Sequence, residues 1–311
     1  MAPSTEGPDR DFAGYGALPP HAAWPGGACV ALSLCLNVEE GAEHALPDGD
    51  EHSEPMSVEV IGAGPLPGRR VLLYESMYEY GSRAGFWRVQ RLLAARGLPA
   101  TAFACGLALE RAPEAARAMA AAGWEVTGHG WRWIDYAEVP EDVERDHVAR
   151  TNAAIRRLCG QQPEGWFTGR TSAATRRLAA EAGCWYDSDS FADDLPYWVE
   201  VAGRPHLVVP YGLDANDFKF LQPNGFVTAG DFTEYLVDAL DQLLEEGEER
   251  PRLLSVGLHS RIIGRPGRIR GLARFLDHVQ AQGSAVWTAT RGDIARHWRA
   301  THPPQGPLPR G

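Results

Sequence analysis

The chain has 311 residues, of which 44% are hydrophobic and 23% charged, which is typical of a globular protein with enough length for a large core. Its formal net charge of -11 argues against nucleic acid or an anionic membrane as partner, because neither attracts an acidic surface. Nothing in the sequence has the length and hydropathy of a membrane span.

The predicted elements begin with an extended N-terminal arm over residues 1–28, which is rich in glycine, proline and aromatic residues. The run 29–36 is apolar on both faces, as in a strand of a parallel sheet covered by helices. It leads to the adjacent carboxylates Glu39 and Glu40. The polar segment 42–70 follows, and a loop this long in a compact domain usually serves as a lid or as a subunit contact.

From residue 71 onward, strands and helices alternate. Further strands are predicted at 71–74, 101–104, 125–128, 166–167, 185–186, 206–209, 253–258 and 285–287. Helices follow most of them, including one to residue 159 and one that Asp231 caps. This alternation predicts an α/β fold, a single deformed (β/α) barrel of seven to eight strands over 29–300 with a flexible tail at 301–311. A cofactor that contains phosphate is not expected, because neither GxGxxG nor GxxxxGK[ST] occurs.

Polar side chains follow the predicted strands, and in a barrel the carboxyl ends of the strands meet at one mouth. They are Glu39, Glu40, Glu75, His129, Arg170, Asp187 and His259. Two carboxylates that share a site can have their pKa values pushed apart, and a histidine at a strand end can exchange protons near neutral pH. Structural roles stay open at this point: Glu75 can cap a helix, and Arg170 can form an ion pair with Asp187 or Asp189.

The cellular location is predicted from cysteine usage and from the N-terminus. The five cysteines form no CxxC pair and lie mostly in apolar contexts, a reduced pattern. The first ten residues lack a basic region followed by an apolar core, so we expect no export signal and a cytoplasmic protein.

Several segments carry a resemblance to a known family: 32–41, 75–85, 128–136, 165–171, 187–198 and 254–259. They resemble the polysaccharide deacetylase superfamily, and more narrowly its metal-independent bacterial allantoinase branch, the PuuE type. The strings Tyr-Glu-Tyr-Gly-Ser-Arg at 78–83 and Asp-Asp-Leu-Pro-Tyr-Trp at 193–198 are characteristic of that branch. The resemblance implies a deformed (β/α) barrel, a homotetramer, and ring-opening hydrolysis of allantoin to allantoate in purine degradation.

The chain departs from the deacetylases of this superfamily at two places. They carry an adjacent aspartate pair, one a base and one a metal ligand, where this chain has Glu39 and Glu40. They also carry two ligating histidines four residues apart, where this chain has His129 and Trp133. Because indole does not ligate zinc, we predict no cofactor, or at most a divalent metal held weakly.

The resulting hypothesis is a hydrolase that acts on the cyclic amide of allantoin. Glu39 or Glu40 is the candidate base, and His129 and His259 are candidates for stabilising the oxyanion and for protonating the leaving nitrogen. The candidate substrate-binding residues are Glu75, Trp133, Arg170 and Asp187. Two alternatives stay open: an N-deacetylase of an acetylated sugar or another small amide or ureide, and a barrel that binds without catalysis. The expected partners are a small-molecule substrate and further copies of the chain.

Overall fold

The computed structural model describes residues 7–311 as an α/β fold. Its strands are β1 Val30–Val38, β2 Thr101–Ala104, β3 Glu125–Gly128, β4 Gly165–Trp166, β5 Tyr186–Asp187, β6 Tyr197–Val201, β7 Arg204–Val208, β8 Arg252–His259 and β9 Val286–Thr288. Its helices are α1 Leu72–Tyr80, α2 Phe86–Ala94, α3 Gly106–Arg111, α4 Pro113–Ala121, α5 Glu141–Cys159, α6 Thr175–Glu181, α7 Ala229–Gly247, α8 Ser260–Ile263, α9 Pro266–Ala281 and α10 Arg291–Thr301. The predicted α/β class is confirmed.

The strands form one curled sheet, in the order β6-β7-β5-β4-β3-β2-β1-β8, and β9 pairs with β1 off this path. All pairings are parallel except that of β6 with β7. All nine residues of β1 are buried, as expected for a central parallel strand between two covered faces. The sheet is thus a half-barrel, the deformed barrel that the strand pattern predicts, and it brings the carboxyl ends of β1, β2, β3 and β8 to one edge.

The prediction of a strand at 71–74 is wrong. These residues lead into α1, which begins at Leu72 and continues through a π-helical turn, Gly81–Gly85, into α2. Tyr74 and Tyr78 are buried one helical turn apart, whereas Leu72 is 65% exposed. A short apolar run has no periodicity that separates a strand from a helix, so the sequence pattern was ambiguous here.

Two further local features differ from the predictions. Strand β6 was not predicted; it forms a hairpin with β7 through Ala202 and Gly203, whose positive φ angles of 50° and 74° suit a tight two-residue turn. Helix α7 is capped by Thr228 rather than by Asp231. Asp231 is the third helical residue and accepts a hydrogen bond from the Thr228 backbone N–H, which completes a reciprocal capping box.

The two ends of the described chain contact the barrel. Trp24 of the arm is 2% exposed, and its indole N–H donates to the carbonyl of Arg252 at 3.0 Å. The tail predicted to be flexible lies along β6, because Glu200 N–H donates to Pro309 and Gly311 N–H donates to Glu200, both at 2.8 Å. Within residues 7–311, none of the helices combines the length and hydropathy needed to cross a bilayer.

Candidate active site

The four predicted catalytic side chains converge at the carboxyl edge of the sheet. Glu39 and Glu40 follow β1, His129 follows β3, and His259 ends β8. Oε1 of Glu39 lies 3.2 Å from Nε2 of His129 and 3.6 Å from Nε2 of His259. The exposed fractions of these four residues are 1%, 3%, 2% and 6%, so they form a single buried cluster.

Each histidine is oriented through its other ring nitrogen. His129 Nδ1 lies 2.6 Å from the carbonyl of Phe167, which only accepts, so this nitrogen carries the proton. His259 Nδ1 lies 2.7 Å from Oδ1 of Asp217, and the other oxygen of Asp217 accepts the backbone N–H groups of His259 and Ile263. Both rings therefore present Nε2 to Glu39.

Asp217 and Arg261 are two members of this cluster that the sequence analysis did not identify. Asp217 lies in a 3₁₀ turn that does not directly follow a strand in the chain, and no local pattern marks it. Arg261 comes two residues after His259. The rule that selects polar residues directly after a strand would have found it if the search had continued a few residues further.

The guanidinium of Arg261 lies beside both carboxylates. Its Nη1 is 2.6 Å from Oε2 of Glu39 and 3.6 Å from Oε1 of Glu40, and its backbone N–H donates to Oε1 of Glu40 at 3.2 Å. The guanidinium also lies over the rings of Tyr78 and Trp133, at 4.5 and 5.3 Å from their centres. Within residues 7–311, none of its three nitrogens has an aligned hydrogen-bond partner, although the contact with Glu39 is an ion pair by distance. It is therefore a buried cation with unused donors.

The surroundings split the pKa values of the glutamate pair. Burial raises the pKa of Glu39, but Arg261, His259 and His129 together outweigh burial and lower it, so this carboxylate is ionised. Burial, aided by the charge of Glu39, raises the pKa of Glu40 despite the opposing effect of Arg261. Burial lowers the pKa of His259, but Asp217 and Glu39 outweigh it, and the net shift is upward.

A weakly held divalent metal was left open by the sequence analysis, and the side chains around the glutamate pair bear on it. Within residues 7–311, no group of three or more His, Cys, Asp or Glu side chains is arranged to hold a metal ion. Trp133 faces Arg261, and Arg261 supplies the positive charge beside Glu39 and Glu40. The residues present do not fit a resident metal.

The four predicted substrate-binding residues occupy different environments. Trp133 is 7% exposed and lies under Arg261, in the wall of the cluster. Arg170 lies over the same indole at 5.2 Å, and its Nη1 is 3.8 Å from Oε2 of Glu54. Of the four, Trp133 and Arg170 adjoin the predicted catalytic groups.

Glu75 and Asp187, in contrast, are held by partners outside the cluster. Glu75 lies in the first turn of α1 and accepts hydrogen bonds from Arg70 and Ser53, which attaches the 42–70 segment to the helix. Asp187 is fully buried and accepts from Arg176 at 2.7 Å and from His206 at 2.9 Å. Burial raises the pKa of Asp187, but Arg176 and His206 outweigh it and lower it to about 2. The partner of Asp187 is thus Arg176 and not Arg170, and both acidic groups are engaged in structural contacts.

The 42–70 segment packs against the loop after β3, next to the cluster. The Ala42 carbonyl accepts from the Trp133 backbone N–H at 2.9 Å, and the Arg132 guanidinium donates to the Glu43 carbonyl and to Asp50. Glu43 is itself 7% exposed, and burial raises its pKa to about 7. The long segment is therefore fastened to the loop after β3 beside the cluster.

Residues 68–186 match a family model described as polysaccharide deacetylase. A protein of Schizosaccharomyces pombe (strain 972), named "Putative polysaccharide deacetylase", is 40% identical over 315 residues, which cover 94% of this chain and 98% of that protein. This chain belongs to the polysaccharide deacetylase family. Membership confirms the predicted resemblance and the predicted class of enzyme, a hydrolase of carbon–nitrogen bonds other than peptide bonds.

Two crystal structures of the family are similar to this chain over nearly its full length. One is of PuuE allantoinase, and the other is of a "probable Polysaccharide deacetylase" from Pseudomonas aeruginosa PAO1. Each is 50% identical, covers 95% of this chain and 99% of its own, and superposes with a TM-score of 0.92. The two differ in the activity that their descriptions give, so the comparison by itself leaves the substrate open.

Proposed function

We propose that the protein is a cytoplasmic allantoinase, which hydrolyses the hydantoin ring of allantoin to allantoate in purine and urate degradation. The observation that carries this proposal is the enclosure of the predicted catalytic cluster, whose four residues are at most 6% exposed. An enclosed site suits a small molecule, whereas a polymeric substrate needs an open groove. The 50% identity to PuuE allantoinase supports the same choice.

In the proposed reaction, Glu40 acts as the general base. It removes a proton from water as the oxygen attacks the ring carbonyl carbon. The raised pKa of Glu40 makes it a stronger base than Glu39, whose lowered pKa leaves it a weak one. Glu39 then holds three neighbouring side chains in place: His129, His259 and Arg261.

Arg261 and His259 complete the proposed chemistry. The unused donors of Arg261 stabilise the negative charge that develops on the carbonyl oxygen. The raised pKa of His259 favours its protonated form, which gives its Nε2 proton to the ring nitrogen as the carbon–nitrogen bond breaks. The products are a carboxylic acid and a free ureido nitrogen, which correspond to allantoate.

A second candidate function is N-deacetylation of a small acetylated amine. The equal similarity to the Pseudomonas aeruginosa relative favours it, and an acetamide would react at the same base, cation and acid. The allantoinase and deacetylase proposals differ in the substrate, so assays with each substrate distinguish them.

The experiment is incubation of the purified protein with allantoin and, separately, with an acetylated chitooligomer. We expect allantoate from the first and no acetate from the second. Release of acetate without allantoate would reject the allantoinase proposal in favour of the deacetylase. Neither product, from a protein shown to be folded, would reject both.

We also propose that the chain self-associates as a homotetramer. Exposed apolar side chains support this: Ile61 is fully exposed on the 42–70 segment, and Leu72 and Leu73 are 65% and 56% exposed on the adjoining α1. Burial of such groups against another copy is favourable. Light scattering at micromolar concentration should give a mass near four chains, and a monomer mass would reject the assembly.

A further inference from the structure

Two buried polar atoms next to the catalytic cluster are left without hydrogen-bond partners within residues 7–311: Glu54 Oε2 and Arg170 Nη1. They lie 3.8 Å apart, close enough to attract each other and too far for a hydrogen bond. Glu54 is only 4% exposed, and its other oxygen accepts the Met56 backbone N–H at 2.8 Å. Leaving a buried donor and a buried acceptor unpaired is costly, so the pair indicates a place where a ligand completes the hydrogen bonding.

This pair adjoins the catalytic groups through Trp133. The guanidinium of Arg170 lies 5.2 Å from the indole centre, and that of Arg261 lies 5.3 Å from it. Arg261 in turn contacts Glu39. A small molecule that reacts at the glutamate pair can therefore extend a second group across Trp133 to Glu54 and Arg170.

The chemistry of the pair selects what that second group is. The Arg170 guanidinium donates and the Glu54 carboxylate oxygens accept, so the complementary group offers an acceptor and a donor side by side. A ureido group has a carbonyl oxygen next to an N–H on one planar edge. The methyl group of an acetamide offers neither.

We propose that Glu54 and Arg170 form the subsite for the ureido group of the substrate, with Arg170 donating to its carbonyl oxygen and Glu54 accepting from its N–H. This inference rests on the proposed function and narrows it, because it assigns the substrate class as hydantoins that carry a ureido substituent. Glu54 is the specificity-determining residue, since a buried carboxylate left unpaired penalises a substrate that lacks the donor.

A purely structural ion pair predicts something different. If Glu54 and Arg170 only fastened the 42–70 segment to the loop after β4, their loss would lower stability and affect every substrate alike. The comparison of two substrates with one protein separates the two roles.

The test compares allantoin with hydantoin, which has the same ring and no ureido group, in the wild type, Glu54→Gln and Arg170→Lys. The control is Glu51→Gln, an exposed glutamate on the same segment. We expect Glu54→Gln to lower kcat/KM for allantoin about 10- to 100-fold and to change kcat/KM for hydantoin less than about threefold. Equal losses on both substrates, or an unchanged value for allantoin, would overturn the subsite.

A binding measurement separates this proposal from the proposed function. Calorimetric titration of allantoin and hydantoin into the wild type, or into Glu40→Gln if turnover interferes, gives affinities that do not depend on catalysis. Allantoin that binds through Glu54 without being hydrolysed by the wild type would reject the allantoinase activity and keep the subsite. If the wild type hydrolyses allantoin, but allantoin binds with equal affinity with and without the Glu54→Gln substitution, the activity would stand and the subsite would be rejected.

Discussion

Arg261 Nη1 and Glu39 Oε2 lie 2.6 Å apart with their side chains 1% and 2% exposed, which makes them a buried ion pair at the centre of the site. Removing two charges from water costs free energy that their attraction need not recover, so such a pair is weak support for stability alone. Arg261 also contacts Glu40, Tyr78 and Trp133, and the proposed stabilisation of the oxyanion accounts for a cation at this position.

Replacing Arg261 tests that role. We expect Arg261→Ala to lower kcat by about 10²–10³-fold, because it removes the donors for the oxyanion. It should also destabilise the protein by about 3–5 kcal/mol, since Glu39 is left buried without its cation. Guanidinium added below denaturing concentration should restore part of the rate in Arg261→Ala. Arg265→Ala, four residues away, is the matched control, and full kcat in a folded Arg261→Ala would contradict the assignment.

The division of labour between the glutamates is tested by Glu39→Gln against Glu40→Gln, which preserve size and remove charge. Loss of the base should lower kcat and kcat/KM together, by about 10²–10⁴-fold, so we expect this in Glu40→Gln. Glu39→Gln should lower the rate less and the thermal stability more, because it breaks the ion pair with Arg261. A larger kcat loss in Glu39→Gln would reverse the roles, and wild-type rates in both would remove the pair from the chemistry.

The pH profile follows from two raised pKa values. Glu40 works ionised, so a pKa raised above 4.5 moves the acidic limb of kcat/KM upward. His259 works protonated, so a pKa raised above 6.5 moves the alkaline limb upward as well. Asp217→Asn removes an anion that raises the pKa of His259, and the alkaline limb should move to lower pH while the acidic limb stays. An unmoved alkaline limb would show that His259 is not the acid.

Much of the fold was predictable because its signals are local. The buried run of β1, the strands β2 and β3, and the helix spacing of α2, α7 and α9 each follow from apolar periodicity over a few residues. The strand ends then placed His129 and His259 at one edge with Glu39 and Glu40. The strand predicted at 71–74 was wrong because the signal is so local: four apolar residues fit the period of a strand and that of a helix equally well.

The rest of the site depends on contacts that no local pattern encodes. Asp217 reaches His259 across 42 positions of the chain, and Glu54 reaches Arg170 from a loop of irregular structure. Asp187 looked equivalent to His129 at a strand end, but its side chain is taken up by Arg176 and His206. Which strand-end group stays available for chemistry is decided by its neighbours in space.

Independence from metal is a further prediction. Because Arg261 provides the positive charge beside the carboxylates and Trp133 provides no ligand, we expect hydrolysis of allantoin to survive exhaustive chelation with EDTA followed by dialysis. The metal content of the active protein, measured by plasma mass spectrometry, should be well below one ion per chain. Activity that EDTA abolishes and zinc restores would show the prediction to be wrong.

The last prediction concerns Gly81, in the π-helical turn between α1 and α2. A Cβ at this position would lie 2.3 Å from Oε1 of Glu40 and 2.6 Å from its Cδ and Cγ. The φ of Gly81 is -57°, an ordinary helical value, so Gly81→Ala should otherwise stabilise the protein by about 0.4–1 kcal/mol through the unfolded chain. Glu40 has little freedom to retreat, since its two oxygens accept the backbone N–H groups of Arg261 and Glu39.

We therefore expect Gly81→Ala to displace the proposed base and to lower kcat by about 10²-fold, the scale that a misplacement of about 1 Å produces. Gly267→Ala is the control, because its Cβ would meet no atom within 4 Å and the residue lies in the first turn of α9. The control should keep the wild-type kcat and unfold at the same temperature or slightly higher. Gly81→Ala with wild-type kcat and raised stability would mean that the Glu40 side chain moves freely, and a base that tolerates this movement cannot depend on the geometry described for it.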